Sequence, residues 1–136
     1  MKQDKYPLPR AVVLDETAVL ALGAGNRMAS RLVVEAENDA TLRICVPAVC
    51  LTAAEGERAG VAEHVGSLPS VDIEALNFVG AAAVGKRLRM YGDEWSGAHA
   101  VHLAQPSVEW PRGRPVLSGD PERYRGTGVR VIALEK

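Results

Sequence analysis

The stretches Ala11-Val12-Val13-Leu14-Asp15 and Arg114-Pro115-Val116-Leu117-Ser118-Gly119-Asp120 decide the fold. Each is a run of aliphatic residues stopped by an acid. That pattern reads as a parallel strand buried on both faces, with a carboxylate at its C-terminal edge. Open α/β sheets gather their ligands at that edge. The acids stand 105 residues apart in sequence, yet adjacent strands would bring them together. Converging carboxylates repel unless a cation or a shared proton holds them, so the pair points to a divalent-metal site.

Between these strands the pattern alternates. Thr17–Leu22 reads as a short helix ended by Gly23-Ala24-Gly25, and Asn26 is placed to cap a second helix reaching Asn38. Thr41–Val46 alternates like a strand and stops at Pro47. A long helical pattern runs from Ala48 to Leu68, with Gly56 and Gly60 marking a bend. Val71–Leu76 is a third strand by alternation. Phe78–Met90 is a helix with a basic end, and Glu94–Ala104 is another. Pro115–Leu117 and Val129–Leu134 are the last strands, separated by a turn with Pro121, Gly126 and Gly128. The expected fold class is α/β: a single domain with a central, mostly parallel sheet of about five strands flanked by helices.

Composition agrees. The chain has 136 residues, 47% hydrophobic and 24% charged. That suffices for one core and not two. The expected organisation is a polar lead-in over residues 1–10 and one domain over 11–136. Net charge is −1, so any nucleic-acid contact must come from a local patch. Arginine outnumbers lysine twelve to four, which suits phosphate contacts, although codon bias gives the same ratio. Cys45 and Cys50 match neither a zinc knuckle nor a thioredoxin-type pair and read as buried thiols in a reducing cytosol. No apolar run approaches the roughly 18 residues of a membrane span, and Met1–Arg10 is unlike a signal peptide. The expectation is a cytoplasmic protein without a membrane partner.

These elements and their acids resemble the PIN domain, the fold of the VapC-type toxin ribonucleases. Val13-Leu14-Asp15-Glu16-Thr17-Ala18 is similar to that family's opening strand, acid, hydroxyl and small residue. Val46-Pro47-Ala48-Val49-Cys50-Leu51 resembles the junction before its second acid. Asp93–Ala104 resembles the helix bearing its third acid, and Pro115–Asp120 the strand bearing its fourth. Pro121-Glu122-Arg123-Tyr124 and Val129-Arg130-Val131-Ile132 fit its ending. The resemblance covers about Ala11 to Leu134. It implies Mg²⁺ or Mn²⁺ held by three or four acids, hydrolysis of an RNA phosphodiester, a homodimer, and a small antitoxin partner. Asp15 and Asp120 carry over as catalytic metal ligands, with Thr17 binding a metal-bound water.

The acid set is incomplete. The second acid should fall six residues after Pro47, at Ala53, which cannot ligate a metal. Glu55 lies about 200° around the helix from Ala53, and Glu57, one turn on, sits roughly 6 Å along the axis. The third acid should stand at Ser96. Asp93, one turn earlier, reads as a displaced metal ligand or as a helix N-cap, the commoner role for Asp after Gly. Glu16 is an extra carboxylate that need not face the site.

Other residues give weaker binding candidates. His99, beside Ser96, is expected near the acidic edge and hydrogen-bonded to a carboxylate. His99 and His102 lack a third ligand for zinc. Arg112 and Arg114, near Trp95 and Trp110, form either a phosphate clamp with stacking rings for single-stranded RNA or packing for their loop. Two readings stay open: a Mg²⁺- or Mn²⁺-dependent toxin-type endoribonuclease with a weakened site, or a catalytically inactive PIN-like module that binds RNA or protein.

Overall fold

The strand that opens the fold, β1 (Arg10–Leu14), is buried from Ala11 to Leu14, as its unbroken aliphatic run requires of a strand covered on both faces. The computed structural model describes residues 10–135. Apart from Arg10, which opens β1 and pairs with Leu42, the lead-in lies outside them. β1 is followed by α1 (Glu16–Gly23), α2 (Arg27–Asn38), β2 (Leu42–Pro47), α3 (Ala48–Glu57), α4 (Val61–Gly66) and β3 (Val71–Glu74). Then come α5 (Phe78–Tyr91), α6 (Trp95–Ala104), β4 (Val116–Ser118), a 3-10 turn (Pro121–Tyr124) and β5 (Val131–Ala133).

The five strands are all parallel, in the order β3-β2-β1-β4-β5. The expected α/β architecture is therefore observed. β1 pairs with β4 through Val13↔Val116 and Leu14↔Leu117, so the two signature strands are neighbours. One face of the sheet, through Val12, Leu14, Ile44, Val46 and Leu117, packs against α1, α2 and α4. The other, through Val13, Cys45 and Val116, packs against α6 at Ala100, Val101 and Ala104. α3 leaves the C-terminal end of β2 and touches both α1 and α6, closing the core at the edge that carries the acids.

Two helical details depart from expectation. The pattern from Ala48 to Leu68 is not one bent helix but two, broken between Glu57 and Val61. Gly60 takes a left-handed φ of 91°, and the Glu55 carboxylate accepts the N–H groups of Gly60 and Ala62 to cap α4. Asp93 is not the cap of α6: that position is Glu94, whose side chain makes no cap hydrogen bond. Asn26 does cap α2, accepting the N–H of Ala29. Among the described residues no helix is long and apolar enough to cross a membrane.

The chain entering β4 turns tightly at Gly113, where φ is 72° and a Cβ would come within 2.3 Å of the Ala104 carbonyl oxygen. Backbone cannot yield there as a side chain would. Gly113→Ala is expected to cost about 3 kcal/mol, combining left-handed strain with that clash. The check is a urea melt of the variant against the wild type.

Candidate functional site

Asp15 directly follows β1 and caps α1 with no intervening loop. Its Oδ1 accepts the N–H of Thr17 (3.0 Å), the N–H of Ala18 (3.2 Å) and the hydroxyl of Thr17 (2.5 Å). Its Oδ2 accepts the hydroxyl of Tyr124 (2.6 Å). The carboxylate is fully buried. A strand-terminal acid thus serves a helix N-terminus, whose free N–H groups need an acceptor.

Thr17 fastens this end to the neighbouring strand. Its Oγ1 accepts the N–H of Gly119 (2.7 Å) and stands 3.4 Å from Ser118 Oγ. Asp120 comes next. Its N–H donates to Ser118 Oγ (2.9 Å), and its side chain is exposed. Asp120 lines a cavity of about 250 Å³ with Asp93, Glu94, Gly97, Val101 and Arg123.

Arg123 decides the character of the edge. Its Nη1 lies 2.7 Å from Glu16 Oε1 and 3.6 Å from Asp15 Oδ2, and Nη2 lies 3.6 Å from Glu94 Oε2. Glu16 is buried, and its Oε2 accepts the hydroxyl of Ser96 (2.8 Å). Burial alone would raise the Glu16 pKa, but the hydrogen bonds from Arg123 and Ser96 hold it below the usual carboxylate value. The bond to Glu16 pushes the Arg123 pKa up in turn, so the guanidinium stays charged. Room for it comes from Gly97: a Cβ there would sit 3.1 Å from Arg123 Cδ. Serine at 96, glycine at 97 and arginine at 123 therefore form one adapted set, and Glu16 faces the site rather than pointing away.

The remaining candidates fall elsewhere. Asp93 lines the cavity, but its carboxylate accepts Arg87 Nε (2.7 Å). Ala53 and Glu57 are both exposed on α3. Arg112 is exposed. Arg114 is buried: it donates to Glu74 (2.6 Å) and to the Leu103 carbonyl (3.0 Å), and its guanidinium lies 5.8 Å from the Trp110 ring centre. Its charge is spent inside the protein, and Trp110 packs the loop.

His99 is fully buried but does not bind a carboxylate. Its Nδ1 accepts the N–H of Val49 (3.3 Å). The reason lies in α3, whose N-cap is Pro47 and has no side chain to serve the first turn. Among the described residues Nε2 has no partner. Burial, followed by the neighbouring His102, lowers the His99 pKa to about 4. Cys45 and Cys50 are free and buried, as expected, and burial pushes both thiols up.

A Mg²⁺ or Mn²⁺ ion needs several oxygens with unspent lone pairs facing one cavity. Asp15 is fully buried and accepts from Thr17, Ala18 and Tyr124, and Glu16 accepts from Ser96 and from Arg123, whose fixed positive charge occupies the place a metal cation would take. Among the described residues no three carboxylates, imidazoles or thiols gather to hold an ion. The donor set present does not fit the metal that the PIN resemblance implies. Arg123 and Tyr124 had no assigned role in the sequence reading. The signal for them was a cation and a phenol three and four residues after Asp120, in the turn leaving β4.

The fold is similar to one chain of the crystal structure of VapBC2 from Rickettsia felis bound to a DNA fragment from their promoter. The TM-score is 0.58 at 12% identity, covering 92% of this chain and 99% of that one. Such a likeness shows a PIN-like α/β fold and no more. No family model and no curated protein matches the sequence.

Proposed function

We propose that this chain is a PIN-like protein of the VapBC kind that acts by binding a protein partner and does not hydrolyse RNA. The observation that carries this reading is the Arg123 guanidinium set against Glu16 and Asp15. A fixed side-chain cation stands where hydrolysis would need an exchangeable one with bound water. Around it Glu94 has a side chain 77% exposed and Asp120 is also exposed, while Glu122 is neutralised by Arg125 at 2.7 Å. Such a rim repels RNA phosphates and favours a partner with cationic side chains, which is the form an antitoxin would take here.

The competing reading is a ribonuclease with Asp15, Asp120 and Asp93 as ligands and Thr17 placing the water. One observation favours it: Asp93 and Asp120 line the same cavity. It requires Arg123 and Tyr124 to leave Asp15. Calorimetric titration of Mn²⁺ into the wild type and into Asp15→Asn, beside incubation with single-stranded RNA, separates the two. The expected result is no saturable binding at millimolar Mn²⁺ and no cleavage. Binding and cleavage that both vanish in Asp15→Asn would overturn the proposal.

A further inference from the structure

The second half of α5 turns every fourth side chain toward one cavity. Ala83, Arg87 and Tyr91 line it, as their spacing on one helix face requires. His102 and Gln105 of α6 form a second wall, and Arg125 and Thr127, just after the 3-10 turn, form a third. The cavity measures about 470 Å³, within the range of small-molecule sites. It adjoins the acidic edge and shares Asp93, Val101 and Arg123 with the smaller cavity there, whereas Glu94 and Asp120 line the smaller one alone.

Two arginines offer open donors to this space. Arg87 is 23% exposed and gives its Nε to Asp93 (2.7 Å), which leaves both Nη groups unbonded among the described residues. Arg125 places Nη2 against Glu122 (2.7 Å), which leaves Nε and Nη1. A guanidinium forks around phosphate oxygens in charge-assisted bonds, so two of them on facing walls suit a phosphate group. The other features suit a flat ring. The Arg87 guanidinium lies 4.7 Å from the Tyr91 ring centre and steadies that ring. Tyr91 is still 62% exposed, which leaves ring surface for a base to stack on. Gln105 carries an amide donor and acceptor side by side, the pair that reads an adenine edge.

We infer that this cavity binds a mononucleotide, with its phosphate between Arg87 and Arg125, its base stacked on Tyr91 and the base edge read by Gln105. A single nucleotide suits the site better than a strand. A chain leaving the cavity toward the acidic edge would carry its next phosphate to Glu94 and Asp120. The inference does not depend on whether that edge hydrolyses RNA.

Calorimetric titration of AMP, adenosine, inorganic phosphate and a short oligoadenylate into the full chain tests it. AMP is expected to saturate one site per chain with a dissociation constant below about 1 mM. Adenosine and inorganic phosphate each make part of the contacts and are expected to bind at least about tenfold more weakly. Tyr91→Ala and Arg125→Gln each weaken AMP binding about tenfold. Arg27→Gln, on α2 across the sheet, leaves it unchanged. Tyr91 and Arg125 are both exposed, so an unchanged melting midpoint excludes misfolding as the cause. A chain that millimolar AMP does not saturate overturns the inference. So does AMP binding that both substitutions leave intact, which would put the nucleotide elsewhere. Inorganic phosphate bound as tightly as AMP would mean an adventitious ion only. Oligoadenylate bound more than about tenfold tighter than AMP would make the cavity one stretch of an RNA track and sink the mononucleotide site.

Discussion

Arg123→Ala is expected to lose about 3–5 kcal/mol of stability at neutral pH, the range for removing one partner of a buried ion pair. The cost follows from what is left behind. Glu16 and Asp15 are both buried, and without the guanidinium they form an uncompensated pair of carboxylates. Burial then dominates Glu16 and raises its pKa above the unfolded value. The folded variant therefore holds a proton that the unfolded chain releases, so its deficit grows as pH rises through the carboxylate range and shrinks in acid. Urea melts at pH 5 and pH 7.5 read this directly. The double change Glu16→Gln with Arg123→Met, which removes both charges, is expected to recover most of the loss. Millimolar Mn²⁺ should raise the melting midpoint of Arg123→Ala and leave the wild type unmoved, because only the variant lacks a cation there. A loss under about 1 kcal/mol would mean the pair behaves as an exposed one, and the stand-in role would fall.

The second large effect is a loss of stability in mild acid, set by His99. Its pKa falls from 6.5 to about 4 on folding. Between those values the unfolded chain binds a proton that the folded protein refuses, so stability rises with pH. The loss begins as pH drops below 6.5 and levels off below 4, at about 3 kcal/mol for a shift of this size. Geometry agrees. A protonated Nδ1 could no longer accept the Val49 N–H, and it would set a positive charge at the positive end of α3. Denaturation midpoints between pH 7.5 and 5 are expected to slope downward in the wild type and to flatten in His99→Gln. Some slope will remain, because burial lowers the His102 pKa in the same direction. A slope that His99→Gln leaves unchanged would place the acid sensitivity elsewhere.

The strands were legible because burial on both faces leaves a mark in composition. Ala11–Leu14 and Val116–Leu117 can hardly be anything but inner parallel strands, and Asn26 announced its helix by capping chemistry. The break after Glu57 was harder to read, because it depends on the Glu55 carboxylate reaching forward to Gly60 and Ala62, which periodicity does not encode. The site was half legible. Asp15 and Thr17 could be singled out by their place at a strand end. What they bind was not readable, because Tyr124 and Arg123 approach from a turn more than 100 residues later. Ser96 looked like a lost acid. It is a hydroxyl donor to Glu16, whose other oxygen Arg123 holds.

The pairing of Leu14 with Leu117 also governs how the protein must be made. A ribosome adding about 5–20 residues per second needs roughly 5–20 s to travel from one strand to the other. Throughout that interval the emerging chain exposes β1 with one edge bare and carries two carboxylates whose counter-ion has not yet been synthesised. Long-range parallel pairing is slow to form even once both strands are present. Chaperones and proteases thus meet a half-built sheet for most of synthesis, and messages cut short before codon 123 should yield products that are degraded rather than accumulated.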